Sequence, residues 1–238
     1  MLNQRAIAAT VARGLRAVKG AMARAARGTI ARMTVPAIED IVQAGLAFNP
    51  RLPMPLDDVR AKVDALFLAL DAQRVPYLLV GGVALLSYVK GRNTQDVDLI
   101  LDGADLDRVG WTVTGRDRDF ARADFGGLRV DLLLTDNALF AHVRQTRAAS
   151  ATFGDRTVPC ASREGLLLLK LYALPSLYRQ GEFDRAALYE TDILMLHQGA
   201  VVDDDALLGE LRPYMAPGDI AELRSILAEQ RGRRRFGA

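Results

Sequence analysis

A chain of 238 residues, half of them apolar, is long enough for one large domain or two small ones with a real core, which excludes disorder throughout. The formal net charge is only +2, but Arg5, Arg13, Arg16, Lys19, Arg24, Arg27 and Arg32 all precede the first acidic residue, Glu39, so local basicity matters more than the total. The single cysteine, Cys160, excludes an intramolecular disulfide, no CxxC or histidine cluster has zinc-site spacing, and no apolar run approaches the ~18 residues of a membrane span.

These limits predict a soluble protein of a reducing compartment, the cytoplasm, with Cys160 as a partly buried structural thiol. Residues 1–33 carry an amphipathic helical pattern: Ile7, Val11, Leu15, Val18, Met22 and Thr29 share one face and the basic residues fall largely opposite. Three readings stand for it: a stripe packed on the body, a basic surface for RNA, anionic lipid or an acidic protein, and an organelle-targeting segment. A short helix follows over 37–47, and Pro36 and the segment NPRLPMP (49–55) punctuate the chain on either side of it. Residues 1–55 are therefore expected to form a basic, helical N-terminal extension.

The spacing of Val59, Val63, Leu66, Phe67 and Leu70 predicts a helix over 56–74, closed by Val75-Pro76. The apolar run 77–80 predicts a strand buried on both faces. Gly81-Gly82 follow at once and 83–89 reads as a helix, so the glycines fall at a strand-to-helix turn where main-chain N–H groups are open to a phosphate. Gly91, Arg92, Asn93 and Thr94 form a turn, and 97–101 alternates as a strand that projects Asp96 and Asp98 to one face, close enough for both carboxylates to hold hard cations.

A third carboxylate sits in similar company. LRVDLLL (128–134) is a strand with Asp131 at its centre, paired with 120–125 through Gly126-Gly127. An aspartate in so apolar a strand needs a partner, and a metal shared with Asp96 and Asp98 supplies one. Beyond it the chain is helical: Ser162 is a good N-cap for an apolar helix carrying Lys170, and 184–197, 203–214 and 220–230 are further helices. Lys170 on the border of that apolar run reads as a snorkelling surface lysine. Asp203, Asp204 and Asp205 are expected to favour a helix dipole, not to bind metal. His142 and His197 look isolated, and Arg231, Arg233, Arg234 and Arg235 look like a mobile basic tail.

The order of these features, a glycine pair, a helix, Arg-x-Thr-x-Asp-x-Asp-Leu and a later strand aspartate, resembles the nucleotidyltransferase superfamily with a polymerase-beta-like core. The continuation, TVPCAS (157–162), LLLLK ending at Lys170 and YETDI (189–193), is similar to the AbiEii-like and related minimal nucleotidyltransferases, several of which are toxins of toxin–antitoxin pairs. The resemblance covers residues 75–200 and implies an α+β fold, with a mixed β-sheet flanked by helices over 56–160 and a helical C-terminal region over 161–238. It further implies transfer of a nucleoside monophosphate from a nucleoside triphosphate to an acceptor hydroxyl, with Asp96, Asp98 and Asp131 holding two Mg2+ ions, or Mn2+ in their place.

In that reading Gly81, Gly82, Arg92, Thr94, Lys170 and Asp192 contact or support the nucleotide, and Asp131 accepts the proton of the attacking hydroxyl. Relatives commonly carry Gly-Ser at the turn; here Val83 follows the glycines, so main-chain donors, Ser87 or Thr94 take the serine's part. The acceptor implied by the toxin group is a tRNA 3′ end, with an antitoxin as protein partner, and the basic termini suit RNA. Other outcomes remain open: transfer to a protein or to a small molecule such as an aminoglycoside, or a catalytically silent binding module.

Overall fold

The computed structural model describes residues 32–33, 56–89, 94, 96–153, 156–198 and 200–234. The N-terminal amphipathic pattern, the 37–47 helix and Arg92 lie outside them. The account below concerns the unit Met33–Ala238 together with Arg32, the first residue of its β1 strand.

Its sheet has the order β1-β7-β8-β2-β3-β6-β5-β4, with β1 Arg32–Met33, β2 Tyr77–Val80, β3 Val97–Leu101, β4 Thr112–Arg116, β5 Phe120–Phe125, β6 Leu128–Leu134, β7 Ala148–Phe153 and β8 Arg156–Ala161. The helices are α1 Leu56–Ala72, α2 Gly81–Leu85, α3 Gly103–Val109, α4 Ala138–Thr146, α5 Arg163–Arg179, α6 Phe183–Gln198, α7 Asp204–Leu211 and α8 Pro217–Arg234. This is the expected α+β class: β2 runs antiparallel to β3 and parallel to β8, while β3 runs parallel to β6.

Every residue of β2 is buried, as its unbroken apolar run requires of a central strand. The β5–β6 hairpin forms through Gly126-Gly127, both at positive φ, and pairs Arg122 with Asp131. Below the sheet, α5 is buried on almost every side, Leu166, Leu167, Leu168, Leu171 and Leu174 being 0–1 % exposed, and it packs against α4, α6, α7 and α8. Burying such side chains is worth ~1.5–3 kcal/mol each, so α5 is the pillar of the C-terminal half.

The helices begin where short polar side chains satisfy their free N–H groups. Asp102, Asn137, Ser162 and Asp203 accept from Ala104, Leu139, Gly165 and Ala206 at 2.9, 3.0, 3.2 and 3.0 Å.

Several sequence expectations change. Asp96 lies just before β3 and not within it, and the helix expected over 83–89 starts two residues earlier, so the glycine pair is its first turn. The histidines are not isolated. His142 meets Glu210 at 2.6 Å, and buried His197 links Ile193 O to Asp204 at 2.7 Å each. The three acids do stand at a helix start as expected, Asp203 as the cap and Asp204 and Asp205 in the first turn, but Asp204 also pairs with His197 and Arg231, and Asp205 with Arg224. Arg231 therefore belongs to α8 and is tied down at 3.1 Å, not part of a mobile tail. Among the described residues, no helix is long and apolar enough to cross a membrane.

Candidate active site

Pairing of the parallel strands β3 and β6 sets Asp98 directly beside Asp131. Both are half-buried, and both face a cavity of about 810 Å3 between the sheet and the C-terminal helices, lined also by Gly81, Arg122, Lys170 and Tyr189. Asp96 enters from the residue before β3, where the Thr94 hydroxyl donates to its carbonyl at 3.3 Å and its carboxylate at 3.4 Å. The three predicted carboxylates thus converge, although not through a shared strand.

Their charges are managed differently. Burial, then the neighbouring charges of Asp96 and Asp131, push the Asp98 carboxyl up to about 7; a Gly82 N–H bond and the Lys170 charge pull the other way. For Asp131, burial also works upward, but hydrogen bonds from Arg129 and Arg122 outweigh it and hold the group below the ordinary carboxylate range. Arg122 Nε lies 2.8 Å from Asp131 Oδ1, and Arg129 reaches it twice, Nε at 3.2 Å and Nη2 at 2.5 Å. The same Arg129 Nη2 lies 3.4 Å from Asp96 Oδ2.

The glycine pair turns out to serve the carboxylate. Gly82 N–H donates to Asp98 Oδ2 at 3.3 Å, so one of the donors expected to meet phosphate is aimed at Asp98. A Cβ on Gly81 would fall 1.9 Å from Asp98 Oδ2, and one on Gly82 2.3 Å from Thr94 Oγ1; Gly81 also holds φ +64°. Gly81→Ala is expected to cost about 1–3 kcal/mol in urea unfolding, because a left-handed backbone and a steric overlap act together. Gly110→Ala, at φ +66° with no atom within 4 Å of the new methyl, isolates the backbone share and should cost less.

Across the cavity, Lys170 is not a snorkelling surface residue. It is 6 % exposed, its Nζ is 2.7 Å from Asp192 Oδ2, and it sits 4.2 Å from the centre of the Tyr189 ring. Asp192, 0 % exposed, therefore orients Lys170 and does not itself face the cavity. Ser87 is also absent from the cavity wall. Burial followed by the Asp98 charge raises the Tyr189 hydroxyl above its ordinary range.

Arg122 and Arg129 escaped the sequence reading, and Tyr189 entered it only as the first letter of YETDI, without a role. For the arginines a signal existed: alternation in LRVDLLL puts Arg129 on the face of Asp131, and hairpin register puts Arg122 opposite. Tyr189 precedes Asp192 by three residues and so shares a helix face with it.

Among the described residues, no group of three or more His, Cys, Asp or Glu side chains is already arranged to hold a metal ion. The donor set nevertheless fits a hard divalent cation. All donors are carboxylate oxygens, and a cationic nitrogen, Arg129 Nη2, already stands between two of them. That guanidinium and a metal ion would compete for the same oxygens of Asp96 and Asp131.

No family model and no curated protein sequence matches the chain. Among solved structures, it is similar to an antigenic nucleotidyltransferase-like protein from Paracoccidioides brasiliensis, at 18% identity and a TM-score of 0.50, over 74% of this chain and 90% of that one. It also matches ANT(2″)-Ia in complex with adenylyl-2″-tobramycin, at 15% identity and a TM-score of 0.48, over 71% of this chain and 98% of that one. The first likeness gives the chain a nucleotidyltransferase-like fold.

Proposed function

We propose that this chain is a nucleotidyltransferase that moves a nucleoside monophosphate from a nucleoside triphosphate to an acceptor hydroxyl. The observation that carries the reading is the in-register Asp98–Asp131 pair, with Asp96 beside it, facing an 810 Å3 cavity whose other side presents Lys170 and Tyr189. Fixed aspartates on adjacent strands supply a rigid frame for positioning, which is what phosphoryl chemistry chiefly demands.

Asp96, Asp98 and Asp131 would hold magnesium, or manganese in its place. Bound there, such an ion would neutralise charge on the triphosphate and lower the pKa of the attacking hydroxyl. Asp131 accepts the acceptor's proton as the acceptor oxygen bonds to the α-phosphorus and pyrophosphate departs, its carboxylate becoming the better base as its arginines turn to the phosphates. Arg122 and Arg129, both largely solvent-facing at this edge, meet the incoming phosphates, and Lys170, braced by Asp192, adds fixed positive potential beside Asp98. Gly81 and Gly82 hold Asp98 in place, with Thr94 doing the same for Asp96; Arg92 is assigned to the phosphates on the strength of the sequence motif alone.

For the acceptor we place a tRNA 3′ end first, in keeping with the AbiEii-like resemblance and the arginine-rich ends of the sequence, with the chain acting in the cytoplasm as a toxin restrained by an antitoxin protein. The test is incubation with each α-labelled triphosphate, Mg2+ and total RNA, and in parallel with a protein extract or an aminoglycoside. Wild type should label one acceptor class, and Asp96→Asn should lower that labelling at least about a hundredfold. Labelling that survives Asp96→Asn, or no labelling of any acceptor, would leave a silent binding module as the better account.

A further inference from the structure

Arg129 is placed in a way that nucleotide binding alone does not require. It emerges from β6 two residues before Asp131, on the same face, and one guanidinium spans Asp131 of β6 and Asp96 beside β3. Arg122, from β5, reaches Asp131 and has no contact with Asp96. Lys170, from α5, is already committed to Asp192. Arg129 is therefore the described cation that bridges the carboxylates a divalent ion would need.

We infer that Arg129 is a resident counter-cation that holds the carboxylate cluster against a free divalent ion and yields it when nucleotide phosphates draw the guanidinium away, so that metal and nucleotide enter together. This rests on the nucleotidyltransferase reading. Two physical facts support it. A metal of this class needs carboxylate oxygens at ~2.0–2.1 Å, so it and the guanidinium compete for the same lone pairs. The Arg129 side chain is 50 % exposed, so water screens its ion pairs and leaves the guanidinium within reach of solvent, where a triphosphate offers the planar fork a bidentate partner of higher charge than Asp131.

The test is titration of the full chain with Mn2+, reading free Mn2+ by electron paramagnetic resonance, with and without a non-hydrolysable α,β-methylene triphosphate. Wild type should bind Mn2+ weakly alone and about tenfold tighter with the analogue. Arg129→Gln should bind Mn2+ alone about fivefold tighter than wild type and gain less from the analogue, and Arg122→Gln should move less than Arg129→Gln because Arg129 still bridges Asp131 and Asp96 in it. Circular dichroism checks that each variant is folded. Equal or weaker Mn2+ binding by Arg129→Gln, with analogue binding intact, overturns the inference and leaves the transferase reading standing. Folded variants that bind neither Mn2+ nor analogue, like the wild type itself, overturn both.

Discussion

Asp98→Asn is expected to abolish transfer while raising the thermal unfolding temperature of the metal-free protein by several degrees above pH 7. The Asp98 carboxyl titrates near 7 in the fold against an ordinary value of 3.8. Below pH 3.8 the group is protonated in folded and unfolded chains alike and adds no penalty. As pH rises from there to about 7 the unfolded chain releases a proton that the fold still keeps, so stability drains away across this window and stays low above it.

Asparagine removes the charge but keeps an oxygen to accept the Gly82 N–H, so the variant should gain on the order of 2 kcal/mol at pH 8 and nothing at pH 3.5. Differential scanning calorimetry in EDTA across this range checks it. A stability gain that is independent of pH would show that the buried and crowded charge of Asp98 is not its source. A residue that destabilises its own fold and is indispensable to activity is the signature of a functional carboxylate.

The buried pair on the opposite wall behaves in the reverse sense. Lys170→Met or Asp192→Ala alone leaves an unbalanced charge at a site 0–6 % exposed, and each should cost about 3–5 kcal/mol in urea unfolding. The double variant Lys170→Met/Asp192→Leu removes both charges and should recover most of that loss, while transfer stays depressed because the positive potential beside Asp98 is gone. A double variant as unstable as the singles would mean that the pair's net attraction, and not the cost of stranding one partner, holds α5 to α6.

What the sequence disclosed and what it withheld follow from the range over which the signals act. Tyr77–Val80 was legible because four consecutive buried residues leave no other economical reading, and the β5–β6 hairpin because Gly126-Gly127 sit between alternating runs. Ser162 and Asp203 were legible as caps because capping is decided within three residues. The edge strand Thr112–Arg116 was missed because all its side chains are exposed, and hydrophobic alternation has nothing to report there. The Lys170–Asp192 pair spans 22 residues and the His142–Glu210 contact 68, distances at which only the packed fold decides who meets whom. At the site, the sequence supplied the three acids but not the cation among them, since Arg129 becomes a bridge only once β6 lies in register with β3.

That register ties chemistry to folding in one further way. With Val130 and Leu132 at 0 and 1 % exposed on either side of Asp131, sliding β6 by a single residue would turn both out of the core and Asp131 into it. A mispaired sheet with an empty site is thus also a sheet with its oil on the outside. The hydrophobic effect, which is blind to catalysis, proofreads the placement of the catalytic pair, and a chain that has folded at all has already counted its strands correctly.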